Sequence, residues 1–221
     1  MLLDPIGGGS AIQPNQPLNS RPDLGQIERD YQVETDKMIK WEPNYVGWFV
    51  KSTKMTKTEG EMLDNLQSKE GLIGVDEFKK IGKEAFSTSE KRFDTESAED
   101  GHQDAFRHAY WNARMTKEYG EKFAKDFATA HEGTSNKSDR EAMDLYNNEV
   151  GRRIATENPH ASNKELADLV QAAVGNGEMI VIDRQGNLAW SDQVPVGDHG
   201  KADGQFMEEG KPRPDGETYP S

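Results

Sequence analysis

The chain has 221 residues, a formal net charge of −13, 33% hydrophobic residues and no cysteine, with a mean hydropathy of −0.93 and a pI near 4.9. The acidic balance argues against a nucleic-acid binder, which needs a basic stripe to neutralise phosphates, and against electrostatic docking on anionic lipid. Without cysteine there is no disulfide, thiolate zinc site or cysteine nucleophile.

The length suits one domain with a real core, and the low apolar content leaves part of the chain irregular, the ends first. Residues 1–22 hold three consecutive glycines and four prolines, too little apolar surface to offset ordering entropy, and read as a flexible arm. That stretch lacks the basic and apolar regions of a cleaved signal peptide, and no run of about 18 apolar residues follows to span a membrane. Asp23 caps a helix expected to run to about Trp41, with Pro43 as its stop. Residues 44–52 are the most apolar stretch of the first half, and periodicity leaves helix and strand open. Trp41, Trp48 and Phe49 read as core anchors. A short helix follows from Thr58 to Leu66, Gly71 and Gly74 break the chain, and a second helix runs from Val75 to Phe86. Residues 87–100 are a polar connector.

Residues 101–153 parse as three helices with an unusual set of charged and amide groups. The first places Asp104, His108 and Asn112 at successive i,i+4 steps on one face, beside the small-residue stripe Ala105, Ala109 and Ala113. The second carries Ala124, Phe127, Ala128 and His131 on one side and ends in Glu132-Gly133. The third places Asp144, Asn148 and Arg152 at i,i+4, flanked by Asn147 and Gly151. Beyond them, Ser162 and Glu165 form a capping box that opens a helix to about Val174. Residues 179–190 then read as a β-hairpin around Arg184-Gln185-Gly186-Asn187. From 193 to 221 the chain is a polar tail rich in Gly and Pro, and residues 197–221 are expected to be extended or disordered. The fold class is therefore mainly α: a single-domain helical bundle over residues 23–192 with a small C-terminal β-hairpin and flexible ends.

The polar set has a chemical reading. A carboxylate one turn before a histidine fixes its tautomer and raises its basicity, and the same pair offers two metal ligands on one face. Glu132 is disfavoured at a helix C-terminus by the macrodipole, so its presence there is informative. Paired asparagines are poor helix formers, so Asn147 and Asn148 are needed for their amides. Gly151 costs about 1 kcal/mol inside a helix, a cost explained by close packing or by substrate approach. The competing reading of the same residues is a buried polar network that pins the three helices together.

The order D-A-F-R-H-A-Y-W-N-A (104–113), A-H-E (130–132) and M-D-L-Y-N-N-x-x-G-R (143–152) resembles an uncharacterised bacterial domain family of secreted effectors and polymorphic-toxin C-termini. The resemblance covers about residues 50–155, including the T-x-x-E opening of the helix at Thr56. It implies a toxin or effector context, with Asp104, Arg107, His108, His131, Glu132, Asp144, Asn147, Asn148 and Arg152 as signature positions. The Arg107-His108 pair is also similar to bacterial phospholipase A2, in which an aspartate on a second helix orients a helix histidine. That resemblance gives those roles to His108 and Asp144, and Ala109 stands where that family has a calcium-binding aspartate.

The expected function is a bacterial secreted toxin or effector, type VI secretion cargo among the options, that hydrolyses a cell-envelope target such as phospholipid or peptidoglycan. The catalytic candidates are His108, His131, Glu132, Asp104, Asp144, Asn147 and Asn148, and the substrate-binding candidates are Arg107, Trp111 and Arg152. The site is either metal-free or holds a divalent ion, zinc or calcium, on Asp104, His108, His131 and Asp144. Expected partners are an immunity protein or a secretion-apparatus component, with no nucleic acid. The expected route is delivery into a target cell, as a soluble protein, without a cleaved signal peptide. The alternative is a non-enzymatic binding or adaptor module whose polar cluster is structural.

Overall fold

In the computed structural model, the described residues are 21–43, 52–93, 97–134 and 138–202. The arm before Arg21, most of the apolar stretch at 44–52 and the tail from residue 203 lie outside them. The described residues are mainly helical, as expected, with six helices and two small antiparallel sheets.

Asp23 does cap α1 (Leu24–Asp30), its side chain accepting from the Gln26 N–H, but the helix ends about two turns later rather than near Trp41. Tertiary contacts draw the chain away. Tyr31 packs edge-on against Tyr146 at 5.5 Å and its hydroxyl donates to Glu149, and the Glu141 carboxylate takes the Val33 N–H. The chain then forms β1 (Met38–Trp41), which pairs antiparallel with β2 (Thr53–Thr56).

Helix α2 (Lys57–Arg92) opens on a full capping box between Thr56 and Glu59 and is kinked once, at Gly71 (φ 70°). A positive φ is accessible to glycine without a Cβ clash. Gly74, the second expected break, stays helical. Leu63, Leu66, Val75, Phe78, Ile81 and Ala85 form the buried side on both arms.

Helix α3 (His102–Tyr119) is the central element, buried without interruption from His102 to Thr116. It packs against α2, α4 (Glu121–Glu132), α5 (Ser138–Glu157) and α6 (Asn163–Gly175). A helix buried all round is normally apolar all round. This one instead encloses Asp104, Arg107, His108, Asn112 and Arg114, so these groups must find partners inside the protein.

The expected capping box opens α6, with the Ser162 hydroxyl accepting from the Glu165 N–H. The expected hairpin is β3 (Ile180–Ile182) and β4 (Leu188–Trp190), with Val181 opposite Ala189. Residues 193–202 have no regular structure but pack on the body. Val194 is buried, the Gly200 N–H donates to the Ile182 carbonyl, and the Ala202 N–H donates to Asp100. No helix among the described residues is long and apolar enough to cross a membrane.

Candidate functional site

The i,i+4 spacing on α3 puts Asp104 and His108 one turn apart, and α5 brings Asp144 against them. His108 Nε2 lies 3.4 Å from Asp104 Oδ1 and 3.6 Å from Asp144 Oδ1. From the end of α4, Glu132 Oε1 approaches the other ring nitrogen, Nδ1, to 3.9 Å. One imidazole, 1% exposed, thus faces three buried carboxylates from three helices. Asp104, His108 and Asp144 each offer a ligand atom, and these atoms lie within 4.8 Å of one another.

Arg107 supplies positive charge to this cluster. Its guanidinium is bonded to Asp104 Oδ1 and sits 3.0 Å from His108 Nε2. The other Asp104 oxygen accepts the Asp100 N–H at 2.7 Å. Burial alone would raise the Asp104 carboxyl. The Arg107 charge, then the adjacent His108 ring and the Asp100 N–H, outweigh that cost and hold it well below the usual carboxylate range.

A second chain of amides runs from this cluster along the α3–α5 seam. Arg152 donates to Asn112 Oδ1 at 3.0 Å, and Asn112 Nδ2 donates to Asn148 Oδ1 at 2.5 Å and to the His108 carbonyl at 3.2 Å. Asn112 and Asn148 are fully buried and Arg152 nearly so. Desolvation lowers the Arg152 guanidinium from its ordinary value, against the raising influence of Glu149 and Glu121.

Three candidates have other surroundings. Asn147 pairs in both directions with the Ile180 backbone, each bond 2.9 Å, and so ties α5 to β3. Trp111 stands in an aromatic group, edge-on to Phe127 at 5.9 Å and to His131 at 5.4 Å. His131 turns its Nδ1 to Glu59, at 2.8 Å, and does not join the Asp104–His108–Asp144 group. The adjacent residues His131 and Glu132 therefore serve two different imidazole–carboxylate pairs.

Two residues of this architecture carried no assigned role in the sequence. Glu59 caps α2 with one oxygen and holds His131 with the other. Its signal was the T-x-x-E spacing at Thr56, which reports the cap but not the distant histidine. Asp100 joins three elements and the segment that follows β4: its N–H reaches Asp104 on α3, its carboxylate forms a fork with Arg140 on α5 and accepts from the Ala202 N–H, and its carbonyl accepts from Ile182 on β3. It does so at φ 62°, a left-handed conformation that aspartate tolerates better than most residues. In the sequence it looks like part of an Asp-Gly turn.

Comparison with known families matches residues 72–178 to a family described as a domain of unknown function, DUF6973. The match spans just under half of the chain and contains α3, α4, α5 and every member of the His108 cluster. No curated protein and no solved structure is significantly similar to the chain.

Proposed function

We propose that the chain is a hydrolase delivered as a bacterial toxin or effector, and that the cluster around His108 is its reaction centre. The observation that carries this reading is one buried imidazole facing three carboxylates. A core histidine needs a single partner to be satisfied. Gathering three carboxylates around it costs desolvation that a purely structural contact would not require. Such crowding is typical of sites whose protonation is tuned for proton transfer.

The chemistry follows from the two ring nitrogens. With the Arg107 N–H directed at Nε2, that nitrogen presents its lone pair and the proton resides on Nδ1, toward Glu132. A water taking the place of the Arg107 N–H meets a base, and Asp104 and Asp144 stabilise the imidazolium formed when it gives up its proton. The displaced guanidinium and the Arg152–Asn112 chain supply positive charge and donors for the negative charge that develops on the substrate. An envelope target, phospholipid or peptidoglycan, is supported by the motif resemblance to effector domains, and the acidic balance of the chain disfavours the nucleic-acid alternative. The resemblance of Arg107-His108 to bacterial phospholipase A2, together with the approach of Asp144 to His108 from a second helix, favours an ester of the phospholipid kind.

A specific observation favours a second reading, a non-enzymatic module with a structural network: Asp104, His108, Glu132, Asp144, Asn112 and Asn148 are all at most 3% exposed. The two readings separate in one experiment. The chain is exported to the periplasm of a test bacterium as wild type, His108→Gln and Asp144→Asn, while lipid and muropeptide turnover and thermal unfolding are followed. The hydrolase reading expects growth inhibition and turnover in the wild type, and their loss in both variants with the fold retained. No turnover in the wild type, with variants that lose stability, would establish the network instead.

A further inference from the structure

We propose that Asp104, His108 and Asp144 bind a divalent metal ion of the zinc type, and that Arg107 holds the ion's place in the metal-free protein. This rests on the hydrolase reading, since the same cluster carries both, and deepens it: with His108 Nε2 as a ligand, the ion takes over from the imidazole lone pair the activation of the water.

The spacing of the three side chains is the first argument. A tetrahedral ion with bonds of about 2.0–2.2 Å holds its ligands roughly 3.3–3.6 Å apart. His108 Nε2 stands 3.4 Å from Asp104 Oδ1 and 3.6 Å from Asp144 Oδ1. As hydrogen bonds these separations are poor. As edges of a coordination tetrahedron they need no movement of either helix. The Asp104 and Asp144 oxygens are within 4.8 Å of each other, a gap that carboxylate rotation closes.

The second argument is the far side of the ring. His108 Nδ1 is completely buried and has no hydrogen-bond partner among the described residues, with Glu132 Oε1 3.9 Å away. A metal-bound histidine ordinarily directs its other ring nitrogen to a carboxylate, which fixes the tautomer and strengthens the ligand. A shift of less than 1 Å, well within side-chain adjustment, brings Nδ1–H and Glu132 into such a bond. Asp104 already has an outer partner in the Asp100 N–H at 2.7 Å.

Charge supplies the third. Asp104, Asp144 and Glu132 surround His108, and Arg107 is the guanidinium bonded within that group. With neutral imidazole the three carboxylates put three negative charges in a buried volume; the bonded guanidinium offsets one of them, and a divalent cation in its place offsets two. One nitrogen and two carboxylate ligands suit zinc or a similar transition ion with an open position for water. Calcium requires six to eight oxygens, so the calcium option of the sequence reading is set aside.

Arg107 gives the inference its distinctive consequence. Its guanidinium bonds Asp104 Oδ1 and lies 3.0 Å from His108 Nε2, so it uses the same two atoms that a metal would. Metal and guanidinium are mutually exclusive there. Loading the ion releases Arg107 beside the reactive water, where a guanidinium binds an anionic substrate group such as a phosphate.

The test is zinc titration of the chelator-treated full chain by calorimetry, with elemental mass spectrometry for stoichiometry and cobalt(II) absorption for coordination geometry. The wild type is expected to bind one ion per chain with a four-coordinate cobalt spectrum. His108→Asn and Asp144→Asn should lose binding, and His131→Asn should keep it. Arg107→Gln should bind zinc roughly ten- to a hundred-fold more tightly, the value of one charge-assisted hydrogen bond expressed as an equilibrium constant. Because the His108 and Asp144 variants are core changes, the wild-type cobalt spectrum and the Arg107 variant stand as independent readouts. No ion bound by wild type or Arg107→Gln overturns the proposal, and weaker binding by Arg107→Gln overturns the competition. The hydrolase reading fails separately: zinc bound in the wild type without envelope turnover would overturn that reading alone, and turnover that survives chelation would overturn only the metal.

Discussion

Gly151 on α5 lies so close to Ala109 on α3 that a Cβ at position 151 would stand 1.9 Å from the Ala109 carbonyl oxygen and 2.6 Å from its carbonyl carbon. The obstacle is backbone, which cannot swing aside as a side chain can. The two helices therefore touch at this point, and the polar cluster forms along the seam they share, Asp104 and His108 on one wall and Asp144 on the other. Gly151→Ala would gain about 1 kcal/mol of helix propensity and lose more to overpacking, roughly 2–4 kcal/mol because backbone must move. A net loss near 2 kcal/mol lowers the melting temperature by about 4–8 °C in a chain of this size. A variant that melts with the wild type would show that the helices do not meet this closely.

Asn112 is the middle link of the seam, accepting from Arg152 and donating to Asn148. Asn112→Ala removes both bonds and leaves a nearly buried guanidinium and a buried amide oxygen short of partners. The expected cost is about 2–4 kcal/mol, dominated by the charged donor. Asn112→Asp keeps the acceptor for Arg152 and should recover part of that loss. Urea unfolding of the three proteins measures it. If Asn112→Ala falls within about 0.5 kcal/mol of wild type, the range of ordinary surface changes, the chain of amides is not holding Arg152.

Much of this architecture was legible because it rests on local rules. Asp23, Ser162 and Glu165 cap the helices they were expected to cap, and the hairpin forms around Arg184-Gln185-Gly186-Asn187. The i,i+4 steps of Asp104, His108 and Asn112 correctly placed them on one face. What could not be read was long-range. The strand Met38–Trp41 exists because it pairs with residues 53–56, and four residues carry too short a pattern to reveal a pairing. The break after Asp30 follows from Tyr31 meeting Tyr146 and Glu149, more than a hundred residues away. In the site, the sequence named both histidines but could not separate them, since a His-Glu dipeptide does not say which carboxylate each imidazole meets. The answer depends on Glu59, which reaches His131 from α2.

That pairing has a pH signature. Burial alone would raise the Glu59 carboxyl, but the bond and charge of His131 and the backbone and hydroxyl of Thr56 prevail and hold it below its ordinary 4.5. A carboxyl with a depressed folded-state pKa stabilises the fold fully above its unfolded pKa, and that contribution is lost as the pH falls through the folded value. The difference in unfolding free energy between wild type and Glu59→Gln should therefore be largest above about pH 5, at roughly 1.5–3 kcal/mol for a charge-assisted bond. It should shrink steadily on acidification, as the wild-type carboxylate takes up its proton. His131→Asn should remove most of the same difference, because it abolishes the largest stabilising partner of that carboxylate. Denaturant titrations of the three proteins from pH 7 to pH 3 decide the matter. A gap between wild type and Glu59→Gln that stays constant across this range would mean that neither His131 nor Thr56 depresses the Glu59 carboxyl, and a gap that shrinks on acidification to the same extent in the His131→Asn background would leave the cap on Thr56 as its cause.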